Sequence, residues 1–180
     1  MRGAMLYGKH DVRFEARAIP NIEAPTDALI QISATCVCGS DLWPYRGLQA
    51  TSGPTPMGHE YCGIVEKVGG GVTSIKPGQF VIGSFFASDN TCPHCHHGYQ
   101  TSCQHKEFVL GPQAPLLRVP LADGALVATP DVPPDDMLPS LLATSDVLGT
   151  GCHVMGIGDS MFVFVSTTVG VSSDGFLFQR

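Results

Sequence analysis

Two stretches of this chain put metal-binding side chains on short turns. Cys38-Gly39-Ser40-Asp41 follows a strand-like apolar segment, and Gly58-His59-Glu60 precedes another. A thiolate, an imidazole and a carboxylate placed on such turns can converge. Three protein ligands of mixed S, N and O type with an open position are what catalytic zinc requires. A third stretch holds Cys92, Cys95 and Cys103 among His94, His96, His97 and His105, with hardly an aliphatic residue between positions 87 and 106. Such a lobe has no core of its own and needs a metal to fix it. The chain has seven cysteines, an odd number, and four of them sit in these turns. Metal ligation explains them better than disulfides, which implies a reducing compartment, the cytoplasm.

Short strands have to carry these turns. Ala28–Ala34 alternates apolar and polar residues like a half-buried strand. Tyr61–Val68 is a second, closed by Gly69-Gly70-Gly71, and Lys76-Pro77-Gly78 is a turn before the apolar run Phe80–Ile82. Arg118–Ala122 and Ala125–Thr129 flank Asp123-Gly124, which predicts a hairpin. After Pro130 a loop leads into a helix, with Asp135 and Asp136 placed to complement its dipole. Met161–Val165 reads as a strand of the kind found inside parallel sheets. Cys36 is expected on the same strand as Cys38, and like Cys62 it reads as a small buried hydrophobe. His10 is expected at the surface or in a turn, and Cys152 and His153 are either pocket-lining or without a role.

Composition sets the class. Gly and Pro number 21 and 14 of 180 residues, while charged residues make up only 14%, so a turn-rich, mostly β (α+β) fold is expected, a small barrel or sandwich. The net charge is −6 and no basic run is present, which excludes the phosphate-neutralising surface of a nucleic-acid binder. The N-terminus is charged where a signal peptide needs its apolar segment, and no stretch is apolar for about 18 residues, so no membrane span is expected.

Gly58-His59-Glu60-x2-Gly63-x5-Gly69-x2-Val72, together with Cys38, resembles the signature of the zinc-dependent medium-chain alcohol dehydrogenases. The resemblance runs from Met1 to about His153. It implies a GroES-like, partly open β-barrel over residues 1–153, a zinc-binding lobe at 87–106, and at 154–180 a truncated remnant of a Rossmann nucleotide domain. By resemblance Cys38 and His59 are ligands of a catalytic zinc, Glu60 is the carboxylate that can approach the metal, Ser40 relays the alcohol proton, and Asp41 orients His59. Asp146, in Asp146-x3-Thr150-Gly151-x-His153, falls where some members place a further zinc ligand. Members commonly carry four cysteines spaced x2, x2, x7 around a structural zinc. This chain has Asp89 in the first place, then Cys92, Cys95 and Cys103, which implies an Asp-Cys-Cys-Cys site, with the lobe's histidines as the alternative ligands.

The implied activity is oxidation of a small primary or secondary alcohol to a carbonyl with NAD or NADP, zinc acting as Lewis acid on the alcohol oxygen. The resemblance is also compatible with a homo-oligomer. The chain departs from the family at several positions. Trp43 stands where many members have a histidine that ends the proton relay, and Gln79 replaces a common aspartate. The three glycines of the phosphate turn become Val165, Thr167 and Gly170, so only Gly170 and Thr150 remain to serve the nucleotide. Weak nucleotide binding by this chain alone is therefore expected. A non-catalytic zinc-binding remnant or scaffold is the alternative.

Overall fold

Side-chain alternation at 61–68 becomes a strand buried on both faces. Tyr61 and Val65 join a core with Ile30, Val81, Leu117 and Val119, whereas Cys62 and Ile64 face a second cluster with Phe80 and Leu142. The computed structural model describes residues 1–156 and the backbone of 170–172 and 175–177; for 152–156 only the helical backbone is described. In chain order the strands are β1 (Arg2–Gly8), β2 (Asp11–Ala16), β3 (Ala28–Thr35), β4 (Thr55–Pro56), β5 (Tyr61–Val68) and β6 (Phe80–Gly83). They continue with β7 (Phe86–Ala87), β8 (Glu107–Phe108), β9 (Leu116–Val119), β10 (Leu126–Ala128), β11 (Gly170–Ser172) and β12 (Gly175–Leu177). The helices are short: α1 (Leu42–Tyr45), α2 (Pro93–His96), α3 (Ala122–Ala125), α4 (Leu138–Ala143) and α5 (Val147–Gly156).

An antiparallel five-stranded sheet ordered β10-β6-β5-β3-β9 forms the centre, beside a three-stranded sheet β2-β1-β4 and the pair β7-β8. The sheets are open, and among the described residues none closes into a barrel. Thr35 at the end of β3 pairs with Tyr61 at the start of β5. That single register places the turn after β3 next to the turn before β5, and so brings Cys38 to His59. The pairing shifts register between Ile32 and Ala34, a bulge that bends β3 as it leaves the sheet. Gly63 lies opposite this bend, where a Cβ would run into the Gln31 carbonyl oxygen, so the glycine of the motif is a requirement of close strand approach.

The hairpin expected at Asp123-Gly124 does not form. β9 and β10 lie at opposite edges of the sheet, and the residues between them make the one-turn helix α3. Remote partners hold it there: the Ala122 amide donates to the Thr26 carbonyl, and the Asp123 carboxylate accepts from the amides and hydroxyls of Thr73 and Ser74. These five bonds outweigh the local turn preference.

Helix α4 starts after a single turn at Asp135–Met137, with Pro139 in its first turn, where the missing N–H costs nothing. Leu142 packs on Cys62 and Phe80, worth roughly 1.5–3 kcal/mol for a buried leucine. This anchoring delivers Asp146, just beyond α4, to the ends of β3 and β5. Met161–Val165 and Thr167 lie outside the described residues, as do the side chains of Cys152 and His153. Gly170 begins β11 and pairs with Leu177, and does not turn into a helix as a phosphate loop does. No helix among the described residues is long and apolar enough to cross a membrane.

Candidate metal centres

Cys38, His59, Glu60 and Asp146 each offer a ligand atom, and these atoms all lie within 4.8 Å of one another. The turn geometry that does this is local. Asp41 Oδ2 accepts the Cys38 amide at 2.9 Å, and Asp41 Oδ1 faces His59 Nδ1 at 3.2 Å, so one carboxylate fixes both the thiol loop and the imidazole. Gly58 turns the chain into His59 with φ of 85°, a left-handed conformation that glycine adopts freely. His59 Nε2 then points at Asp146 Oδ2, 3.3 Å away, with Glu60 Oε1 at 4.0 Å and the exposed Ser40 hydroxyl at 3.4 Å. Asp146 is itself oriented, because the Thr150 hydroxyl donates to its other oxygen at 2.9 Å.

The donor set fits a divalent cation. Bonds of about 2.0–2.3 Å to zinc give tetrahedral edges of roughly 3.3–3.8 Å, which the His59–Asp146 separation matches. Around one imidazole stand a thiol and three carboxylates, of which Glu60 is only 2% exposed. Asp146 first, then Asp41 and Cys38, favour the proton on His59 and push its pKa up to about 12 against desolvation. A cation held here would take the place these acids otherwise give to a proton. Phe85 meets His59 edge-on at 6.1 Å and forms an apolar wall, while Trp43 is 60% exposed.

The second cluster sits in the lobe. Cys92 Sγ lies 3.5 Å from Cys95 Sγ and 3.9 Å from Cys103 Sγ, and Asp89 Oδ1 lies 3.2 Å from Cys103 Sγ and 3.8 Å from Cys95 Sγ. All four separations approximate tetrahedral edges, and the sulfurs are too far apart for disulfides. The three cysteines are the only buried cluster of the lobe among the described residues, and Thr91, through its amide, followed by His105, holds the Asp89 carboxyl well below the usual range. Burial pushes the Cys95 thiol up while the Gln104 amide draws Cys92 down. Three thiols packed together cannot all ionise without a cation between them.

The structure thus brings together Cys38, Ser40, Asp41, His59, Glu60 and Asp146 as one group, and Asp89, Cys92, Cys95 and Cys103 as another. Thr150, expected at the nucleotide, here supports Asp146. Cys36 departs from expectation. Strand β3 ends at Thr35, so Cys36 lies in the turn, half-buried against Cys62 and Leu142, and its thiol donates to Glu60 Oε2 at 3.0 Å. His10 is exposed in a turn against Tyr45, as expected.

Residues 24–137 match the model of the alcohol dehydrogenase GroES-like domain, and the chain belongs to that family. It is 34% identical over 157 residues to the medium chain reductase/dehydrogenase ucsI of an Acremonium species, covering 84% of this chain and 53% of that protein. It is likewise 34% identical over 136 residues to zinc-type alcohol dehydrogenase B of Aspergillus flavus, covering 73% of this chain and 32% of that one. The chain therefore spans between a third and about half of these relatives. Among solved structures, the alcohol dehydrogenase TADH from Thermus sp. ATN1 superposes with a TM-score of 0.80 at 29% identity, over 88% of this chain and 47% of its own. The fold is that of the GroES-like part of a zinc-type alcohol dehydrogenase.

Proposed function

We propose that this chain carries the metal-holding and alcohol-binding part of an oxidoreductase that converts a small primary or secondary alcohol to its carbonyl with NAD or NADP. The observation that carries this reading is the convergence of Cys38, His59, Glu60 and Asp146 with the Ser40 hydroxyl at their rim. Cys38 and His59, with Asp146 or Glu60, would hold zinc, which when bound supplies Lewis-acid polarisation of the alcohol oxygen. Asp41 keeps the proton on His59 Nδ1, leaving the Nε2 lone pair toward the centre. Ser40, exposed and within reach of that centre, receives the hydroxyl proton and passes it to solvent. Phe85 excludes water from one side. The Asp89, Cys92, Cys95, Cys103 site is closed, with four protein donors, and serves to fold its lobe.

Cobalt(II) in place of zinc gives a direct readout. Titration with a primary and a secondary alcohol should shift the d–d bands of the cobalt at Cys38, and Cys38→Ala should abolish the response. Calorimetry with NAD and NADP should give Kd values above about 1 mM, because Val165 and Thr167 replace glycines of the phosphate turn. An unresponsive cobalt spectrum overturns the alcohol reading. Tight nucleotide binding with steady turnover overturns the weak-nucleotide part alone.

A further inference from the structure

Asp89 divides its contacts between two oxygens. Oδ1 faces the sulfurs of Cys103 and Cys95 and accepts the Thr91 amide at 3.0 Å. Oδ2 turns away from the sulfurs, accepts the Thr91 hydroxyl at 2.8 Å, and is hydrogen-bonded to Nδ1 of His105. A carboxylate only accepts, so Nδ1 carries the hydrogen. The same residue reaches the site a second time, since the His105 amide lies 3.3 Å from Cys103 Sγ and donates to it. His105 is absent from the group whose ligand atoms converge, and its side chain is 64% exposed.

A thiolate has one donor atom and needs no orienting beyond its rotamer. A carboxylate has two equivalent oxygens and can turn about its last bond, so placing Asp where three cysteines supply the other donors adds a freedom the site has to remove. We propose that His105 is the positioning residue for Asp89: its Nδ1–H holds Oδ2 outside the cluster so that Oδ1 alone faces the three sulfurs. The inference rests on reading the lobe as a metal site, and it assigns the histidine hydrogen-bonded to Asp89 a role other than ligand. Because the ring is exposed, its removal leaves no cavity. The expected effect is therefore on metal affinity and not on packing.

The test uses the full 180-residue chain carrying Cys38→Ala, so that only the lobe site is read, with zinc and cobalt(II) competed by a chromophoric chelator. His105→Ala should weaken the lobe's affinity about 10–100-fold, the usual range for losing a group that orients a ligand. The sulfur-to-cobalt charge-transfer bands should persist, because the thiolates are unchanged. His105→Asn, whose side-chain N–H can stand in for Nδ1–H, should stay within a few-fold of the parent. In an Asp89→Cys background, where nothing needs turning, His105→Ala should have no effect. An equal loss in both backgrounds, or no loss in either, overturns the proposal. So does tight binding in Asp89→Ala combined with loss in His105→Ala, which would make His105 the ligand. If the parent chain takes up neither ion, the lobe site itself fails, and the role of His105 falls with it.

Discussion

Replacing Asp41 by Asn keeps the shape of the side chain and changes only which atoms donate. In the native arrangement Oδ2 accepts the Cys38 amide at 2.9 Å and Oδ1 faces His59 Nδ1 at 3.2 Å, so both positions need an acceptor. A carboxamide has one acceptor and one donor end. If its oxygen stays on the Cys38 amide, the NH2 confronts Nδ1, which then has to accept, moving the ring proton to Nε2 and removing the lone pair that faces Asp146. If it flips, the NH2 opposes the Cys38 N–H instead. A metal on Nε2 forces the hydrogen back onto Nδ1, against the NH2, so in the metal-bound state either orientation loses one hydrogen bond at a largely buried site, costing about 1–3 kcal/mol, equivalent to roughly 5–150-fold in metal affinity at the Cys38–His59 centre. Chelator competition should resolve two zinc equivalents and show only one weakened. An affinity within a factor of about two of wild type, or an equal weakening of the lobe site, would refute the reasoning.

Cys95→Ser should release the lobe zinc and speed amide exchange across residues 87–106 while β5 stays protected, because the three cysteines are the lobe's buried cluster; an unchanged exchange pattern counts against it. Asp27, fully buried, has its pKa raised by desolvation and more than restored by the Arg118 guanidinium and the Ala24 and Glu23 amides, the net direction being downward. A depressed folded-state pKa gives stability that is present above the unfolded value near 4 and lost as pH falls through the folded one. Thermal melts should thus show Tm falling below about pH 4, with Asp27→Asn about 1–3 kcal/mol less stable at pH 7 and flatter in acid; parallel acid limbs would contradict it.

Strands with strong alternation were legible from residues alone. Tyr61–Val68 coincides with β5, and Ala28–Ala34 with β3 to within one residue, because β5 sends alternate side chains into two clusters and β3 sends Ala28, Ile30 and Ile32 into one of them while Gln31 stays exposed. Asp123-Gly124 misled because its partners, Thr26, Thr73 and Ser74, lie about fifty or more positions away, and no local pattern signals them. At the site, ligand types and spacing marked the donors themselves. What escaped were the groups that orient them: Cys36 on Glu60, Thr150 on Asp146, His105 on Asp89. Of these, the Asp89-x-Thr91 turn and the Cys103-x-His105 spacing left a trace in the sequence, whereas Cys36 required knowing that β3 stops at Thr35.

Asp146 reaches the metal centre from beyond α4, whereas Cys38, His59 and Glu60 come from the turns at the ends of β3 and β5. A cation shared among them is therefore a clip across a long span of chain, closing the loop between positions 59 and 146 much as a cross-link does. Occupancy of the centre and attachment of residues 138–151 to the sheet become one equilibrium. Metal removal should then make Leu142 and the Cys62–Phe80 surface beneath it more accessible to protease and solvent together, so that loss of the ion removes the Lewis acid and loosens the hold on a helix in the same event.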